Sequence, residues 1–237
     1  LKTSGAKRVE ADFRLPFLHH AMMEPFALTA HHKDGKLDIW GGLQDPLATK
    51  MAAVKFSGLS ADDVTFHPMA SGGSFGRRLP MYVEIVEQVT KLAMQLPYPV
   101  KLIWSREEDQ AQDFYRPISM CKATAGLDAA GNLVGLHVRV SGQSINAFVA
   151  PLNVVDGKDR RQLQGFWAEP GDAQLGYTVP NLRIEYAMRN THVPVGPWRG
   201  VNTNQNGVYM ECFIDEVARA AGADALEFRR RLMSRHP

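Results

Sequence analysis

The hydrophobic period changes several times along this chain, and each change predicts an element. Apolar-rich runs at Phe26–Ala30 and Leu37–Trp40 flank Asp34-Gly35, a hairpin signal. Asp45-Pro46 reads as an N-cap with proline in the first helical turn, and Gly58 closes that helix. A strand over Val64–Met69 follows. The next helix, about Met81 to Gln95, puts Ile85, Val89, Leu92, Ala93 and Leu96 on one face, and Pro97 and Pro99 stop it. Val100–Trp104 reads as a strand and Arg106–Asp109 as a short polar helix or turn. Strands over Ile118–Leu127 and Leu133–Val140 surround a second hairpin at Asp128–Asn132, and Leu182, Ile184, Tyr186 and Met188 alternate with charge as a half-buried strand does. A helix over Asn204–Ala221 carries Val208, Cys212, Ile214, Val217 and Ala218 and ends at Gly222. Asp224 with Glu227 forms a capping box for the last helix.

Strands and helices mix without regular βαβ repetition, so the expected class is α+β: mixed sheets with packed helices. Residues 1–14, with Thr3-Ser4-Gly5, read as a loosely held arm or a cut edge, and residues 15–237 as one domain. The segment Asn153–Gly176 is a long irregular connection, which in a compact domain is usually functional or mobile.

The densest local signal is Gly72-Gly73-Ser74-Phe75-Gly76-Arg77-Arg78, between the Val64 strand and the Met81 helix. Glycine removes Cβ and permits positive φ, so another molecule can approach this backbone closely. The N–H groups of such a turn suit an anion or a cofactor edge. Arg77 and Arg78 read as either phosphate contacts or solvated residues at a helix start. Neither GxGxxG nor GxxxxGK[ST] occurs, which argues against a dinucleotide or P-loop nucleotide. Gly72–Gly76 also fits G-x-S-x-G, the elbow of serine hydrolases, with Asp156 and His192 in the right chain order for a triad. No HGGG-like oxyanion segment precedes it. A non-catalytic binding module, or a turn needed only for packing, are the other readings.

Composition narrows the field. Apolar residues make up 45% and charged residues 22%, with a net charge of +2, too weak a field to argue for nucleic acid. Arg229-Arg230-Arg231 reads as the solvated face of the terminal helix. No apolar run reaches the ~18 residues of a membrane span, and no leader segment is visible. Cys121 and Cys212 lack CxxC spacing and read as buried thiols, so no metal is held by cysteine side chains. His19-His20 and His31-His32 suggest a metal, but adjacent histidines on a strand point to opposite faces and rarely chelate one ion, and His20 reads as a core residue hydrogen-bonded near Glu24. Met22-Met23 reads as core filler, and Trp167 as a funnel lining or a loop anchor.

Set beside the glycine turn, His20-Ala21-Met22-Met23-Glu24-Pro25, Trp40, Gln44, Pro99-Val100-Lys101, Arg106–Asp109, Pro197-Trp198-Arg199-Gly200 and Phe213–Arg219 occur in one order. This order closely resembles the molybdenum-binding subunit of the xanthine dehydrogenase and aldehyde oxidase family, most of all the isoquinoline 1-oxidoreductase β-subunit and membrane-associated aldehyde dehydrogenase group. The resemblance implies an α+β molybdenum-cofactor-binding domain and a molybdopterin cofactor, often in its cytosine dinucleotide form. It puts Gly72, Gly73, Ser74, Phe75 and Gly76 at the cofactor through main-chain amides, Arg199 on a backbone contact, and Gln44 near the pterin. The implied activity is oxidation of an aldehyde or N-heterocycle with water as oxygen source. Electrons would leave through a small two-cluster (2Fe–2S) subunit, with cytochrome c as a candidate acceptor, since this chain lacks cluster cysteines.

The chain departs from the family pattern at several positions. Ser74 replaces a commoner glycine. Leu18 and Leu79 fall where xanthine-type members carry a glutamine and a substrate-binding glutamate, and Val201 where they carry a phenylalanine. Such an apolar pocket disfavours a purine. The family's general-base glutamate lies in a domain C-terminal to this one, so this polypeptide alone is expected to show no turnover and no stoichiometric molybdenum. The resemblance leaves the location open between periplasm and cytoplasm.

Overall fold

The computed structural model describes residues 7–79, 81–167 and 174–233. In chain order the elements are β1 (Lys7–Leu15), β2 (Ala27–Lys33), β3 (Lys36–Gly41), α1 (Pro46–Ser57), β4 (Val64–Pro68), α2 (Glu84–Ala93), β5 (Val100–Ile103), α3 (Arg106–Ala111), β6 (Ser119–Leu127), β7 (Leu133–Gly142), α4 (Ile145–Val149), β8 (Leu182–Met188), α5 (Asn202–Ala220) and α6 (Ala225–Leu232). Single 3₁₀ turns occupy Pro151–Asn153 and Arg160–Leu163 within the long irregular connection. The α+β expectation holds: both sheets mix parallel and antiparallel pairs. The chain divides into two compact units, one of residues 1–18 and 115–237, the other His19–Phe114.

The His19–Phe114 unit has a four-stranded sheet in the order β4-β3-β2-β5. Asp34 and Gly35 take φ of 50° and 77°, as the β2–β3 hairpin demands. α1 carries the chain from β3 to β4, which pair in parallel. Asp45 accepts from the Ala48 N–H at 2.9 Å to start α1, and Gly58 ends it at φ 72°. α1 and α2 rest on the sheet over a core of Met22, Phe26, Leu28, Ile39, Ile85 and Val89. α2 starts at Glu84, later than the pattern predicts, and its inner face is Ile85, Val86, Val89, Thr90 and Ala93. Leu92 faces out, and Leu96 lies beyond the helix. Met22 is core, whereas Met23 is 80% exposed.

The other unit has the sheet β1-β6-β7-β8. β1 corrects the reading of residues 1–14 as an arm: Lys7–Leu15 pairs antiparallel along the whole of β6, with Phe13 opposite Cys121, and residues 1–6 lie outside the described residues. Its alternation turns Val9, Ala11 and Phe13 inward, too little apolar mass to stand out in sequence. α5 covers this sheet with Tyr209, Phe213, Ile214 and Val217, while Val208 and Cys212 point outward, against expectation. Cys121 is buried in β6, and burial pushes its thiol up to about 12. The terminal arginine run is not a uniformly solvated face. Arg229 bonds Glu211 and Asp215 of α5 at 2.9 and 2.6 Å and ties α6 down, while Arg230 alone pairs outward with Glu227. Asp224 accepts from the Leu226 and Glu227 N–H groups as the cap. Among the described residues no helix is long and apolar enough to cross a membrane, and no group of His, Cys, Asp and Glu could hold a metal ion.

Candidate cofactor site

β4 delivers the chain to the glycine turn, and the Met69 N–H donates to the Gly41 carbonyl at 3.0 Å as the strand ends. Gly73, Phe75 and Gly76 then take φ of 88°, 53° and 111°. Glycine adopts such angles freely, whereas for Phe75 the left-handed region costs about 1–2 kcal/mol. A Cβ on Gly72 would stand 2.7 Å from Glu24 Cβ, so only glycine fits there without displacing Glu24. The Gly72 N–H donates to Glu24 Oε2 at 2.5 Å. The next turns close on themselves, Arg77 N–H to Ser74 O at 3.0 Å and Leu79 N–H to Gly76 O at 3.2 Å. Among the described residues the N–H groups of Gly73, Ser74 and Gly76 meet no protein acceptor, and the segment is part-exposed. The bend is an open ledge of donors, and one of its amides is held by a carboxylate.

Arg77 and Arg78 are neither phosphate ligands nor solvated; each is 1% exposed. The Arg77 guanidinium carbon lies 4.9–5.9 Å from the ring centres of Phe26, Tyr82, Trp104 and Phe114. Its Nη2 donates to the Gln112 carbonyl at 2.9 Å, and its Nε lies 3.2 Å from Asp113 Oδ1, close enough for an ion pair but outside hydrogen-bond alignment. Asp113 also accepts from the His20 N–H at 2.5 Å and contacts His20 Nδ1 at 2.8 Å, so His20 is a buried residue bonded to Asp113. Arg78 donates to the carbonyls of Gly42 and Glu24 at 2.6 and 2.8 Å. Burial lowers its pKa, and the Glu24 and Asp109 carboxylates oppose that. These bonds anchor one leg of the turn, and Glu24 anchors the other.

Gln44 is tied to the same turn, its N–H donating to the Arg78 carbonyl at 3.0 Å and its Oε1 accepting from Ser74 Oγ at 2.8 Å. The Ser74 hydroxyl therefore meets an amide, not an imidazole. Asp156 and His192, the other members of the suggested triad, belong to the other unit. Leu79 sits part-buried at the end of the turn.

In the other unit, Arg199, Gly200 and Val201 form the turn that opens α5. The Val201 N–H donates to the Trp198 carbonyl at 2.6 Å, Gly200 takes φ 85°, and Arg199 lies exposed with its guanidinium over the Trp198 ring at 5.5 Å. Val201 holds φ 50° and ψ −126°, an outlier for a β-branched residue, and no side chain caps the helix behind it. The positive end of a 19-residue helix therefore carries no side-chain cap beside Arg199. Leu18 forms an isolated antiparallel bridge with Arg116 in this unit. Trp167 donates from its indole to the Arg160 carbonyl at 3.3 Å.

Sequence reasoning missed the polar scaffold behind both turns. Asn202 and Asn206 of α5 donate to the carbonyls of Arg161, Gln162 and Gln164, and Arg116 donates to Asn204 Oδ1. The run Asn202-Thr203-Asn204-Gln205-Asn206, amides at helical spacing in the first turns of a helix, was the available signal. Nothing local marks Asp113 or Glu24 as anchors.

Residues 2–147 and 167–233 match the family model described as a molybdopterin cofactor-binding domain, and the chain belongs to that family. Among characterised relatives it is 29% identical over 94% of its length to the isoquinoline 1-oxidoreductase subunit beta of Brevundimonas diminuta, and 28% identical over 91% to a membrane-bound aldehyde dehydrogenase of Gluconacetobacter polyoxogenes. The chain spans 28% of the length of each. Among solved structures, quinoline 2-oxidoreductase from Pseudomonas putida 86 shares the fold at a TM-score of 0.73 and 21% identity, covering 96% of this chain and 28% of that one. The aldehyde oxidoreductase of Desulfovibrio gigas matches at 0.70 and 23%, covering 96% and 24%. The homologues are oxidoreductases of the molybdenum hydroxylase family, and none of the comparisons supports a serine hydrolase.

Proposed function

We propose that this chain holds the pterin of a molybdenum cofactor on the ledge of Gly73, Ser74 and Gly76, as the first cofactor domain of an aldehyde- or N-heterocycle-oxidising enzyme. The observation that carries the reading is the set of amides without protein partners on a turn whose φ angles need glycine. Such donors suit an acceptor-rich ligand, and their anchors are in place before it arrives, so little ordering is left for binding to drive. The residue set extends to Phe75, Gln44 and Arg199, and the cytosine dinucleotide form of the cofactor belongs to the same proposal. When bound, the cofactor supplies oxidative hydroxylation chemistry. The chain's own part is to bind and orient it and, through Leu18, Leu79 and Val201, to line the substrate side with apolar groups that cannot pair ring nitrogens or oxo groups.

The general-base glutamate, the two-cluster iron–sulfur subunit and a cytochrome c acceptor complete the proposal outside these residues. With only Cys121 and Cys212, both free thiols, the chain has too few ligands for a cluster of its own. Dye reduction by the polypeptide as its gene encodes it, assembled with its partners, tests the substrate class. Aldehydes or N-heterocycles are expected to support turnover and xanthine is not; xanthine turnover would overturn the apolar pocket.

A further inference from the structure

Between Gly72 and Gly76 the one polar side chain is Ser74, and its hydroxyl donates to Gln44 Oε1 at 2.8 Å. Gln44 is also tied by its main chain to Arg78, so both ends of this bond belong to one anchored segment. An amide group is two-faced: its oxygen accepts and its nitrogen donates. With Oε1 engaged by Ser74, Gln44 turns Nε2 outward, and among the described residues that nitrogen has no partner. Nε2 of Gln44 then joins the N–H groups of Gly73, Ser74 and Gly76 as donors without a protein acceptor among the described residues. With glycine at position 74 the Gln44 amide could rotate and offer its oxygen, which repels acceptor atoms.

We infer that Ser74 is a positioning residue: it fixes the Gln44 amide with its N–H face toward the acceptor atoms of the pterin cofactor. This rests on the cofactor reading above. It also accounts for the serine that makes the turn resemble a hydrolase elbow.

The test is a double-mutant cycle on the polypeptide as its gene encodes it, made in a host that synthesises molybdopterin, with pterin retained after dialysis as the readout. Ser74→Ala should lower pterin affinity roughly threefold to tenfold, the loss of one exposed hydrogen bond, with the melting temperature unchanged. Ser74→Thr, which keeps the hydroxyl, should restore it. In a Gln44→Leu background, Ser74→Ala should add nothing. Losses that multiply, or no rescue by threonine, would overturn the Ser74 role and leave the cofactor reading standing. A wild-type protein without pterin would overturn both.

Discussion

Burial treats the two cysteines of this chain in opposite ways. Cys121, 2% exposed, has its thiol held up to about 12 by burial, while Cys212 faces out of α5. Since the thiolate is the reactive form, native protein at pH 8 should gain a single iodoacetamide adduct, on Cys212, by peptide mass spectrometry. Rapid labelling of Cys121 would mean that β6 is not packed as described. The linkage sign follows: the folded pKa is raised from 9.0, so the neutral thiol's contribution is present below about pH 9 and is lost as pH climbs to about 12. Single residues with local roles were legible in the sequence, as the Asp45 and Asp224 caps and the glycine at position 58 show. The outward turn of Cys212 was not, because its position on α5 is one step from the inner stripe of Tyr209 and Phe213.

At the scale of elements, the glycine turn depends on neighbours far away in sequence. Phe26, Tyr82, Trp104 and Phe114 come from different segments and converge on Arg77, which explains why two adjacent arginines read as surface groups. Arg77→Ala would leave Asp113 without that cation and open a void among the rings, at a cost of about 3–5 kcal/mol. A denaturant titration should show that loss, with Arg77→Lys recovering part of it by restoring the charge. A near-neutral Arg77→Ala would contradict the buried ion pair. The hairpins, α1 and the α6 cap were visible because their signals are local. The start of α2 was missed because residues before Glu84 continue the turn rather than the helical period.

At the scale of the whole molecule, the chain comprises two compact units, each with its own four-stranded sheet. β1 joins a strand more than a hundred residues later, a pairing that no window along the sequence can reveal. The ledge itself was legible as glycine spacing, but its anchors Glu24, Asp113 and Gly42 were not, since each acts through tertiary bonds. Metal and pterin analysis of the full gene product, wild type against Gly73→Val, tests the account most directly. At φ 88° a β-branched residue cannot keep this bend. The account predicts molybdenum and pterin close to stoichiometric in the wild type and a large loss in folded Gly73→Val. Equal cofactor content in the two proteins, or none in the wild type, would contradict it.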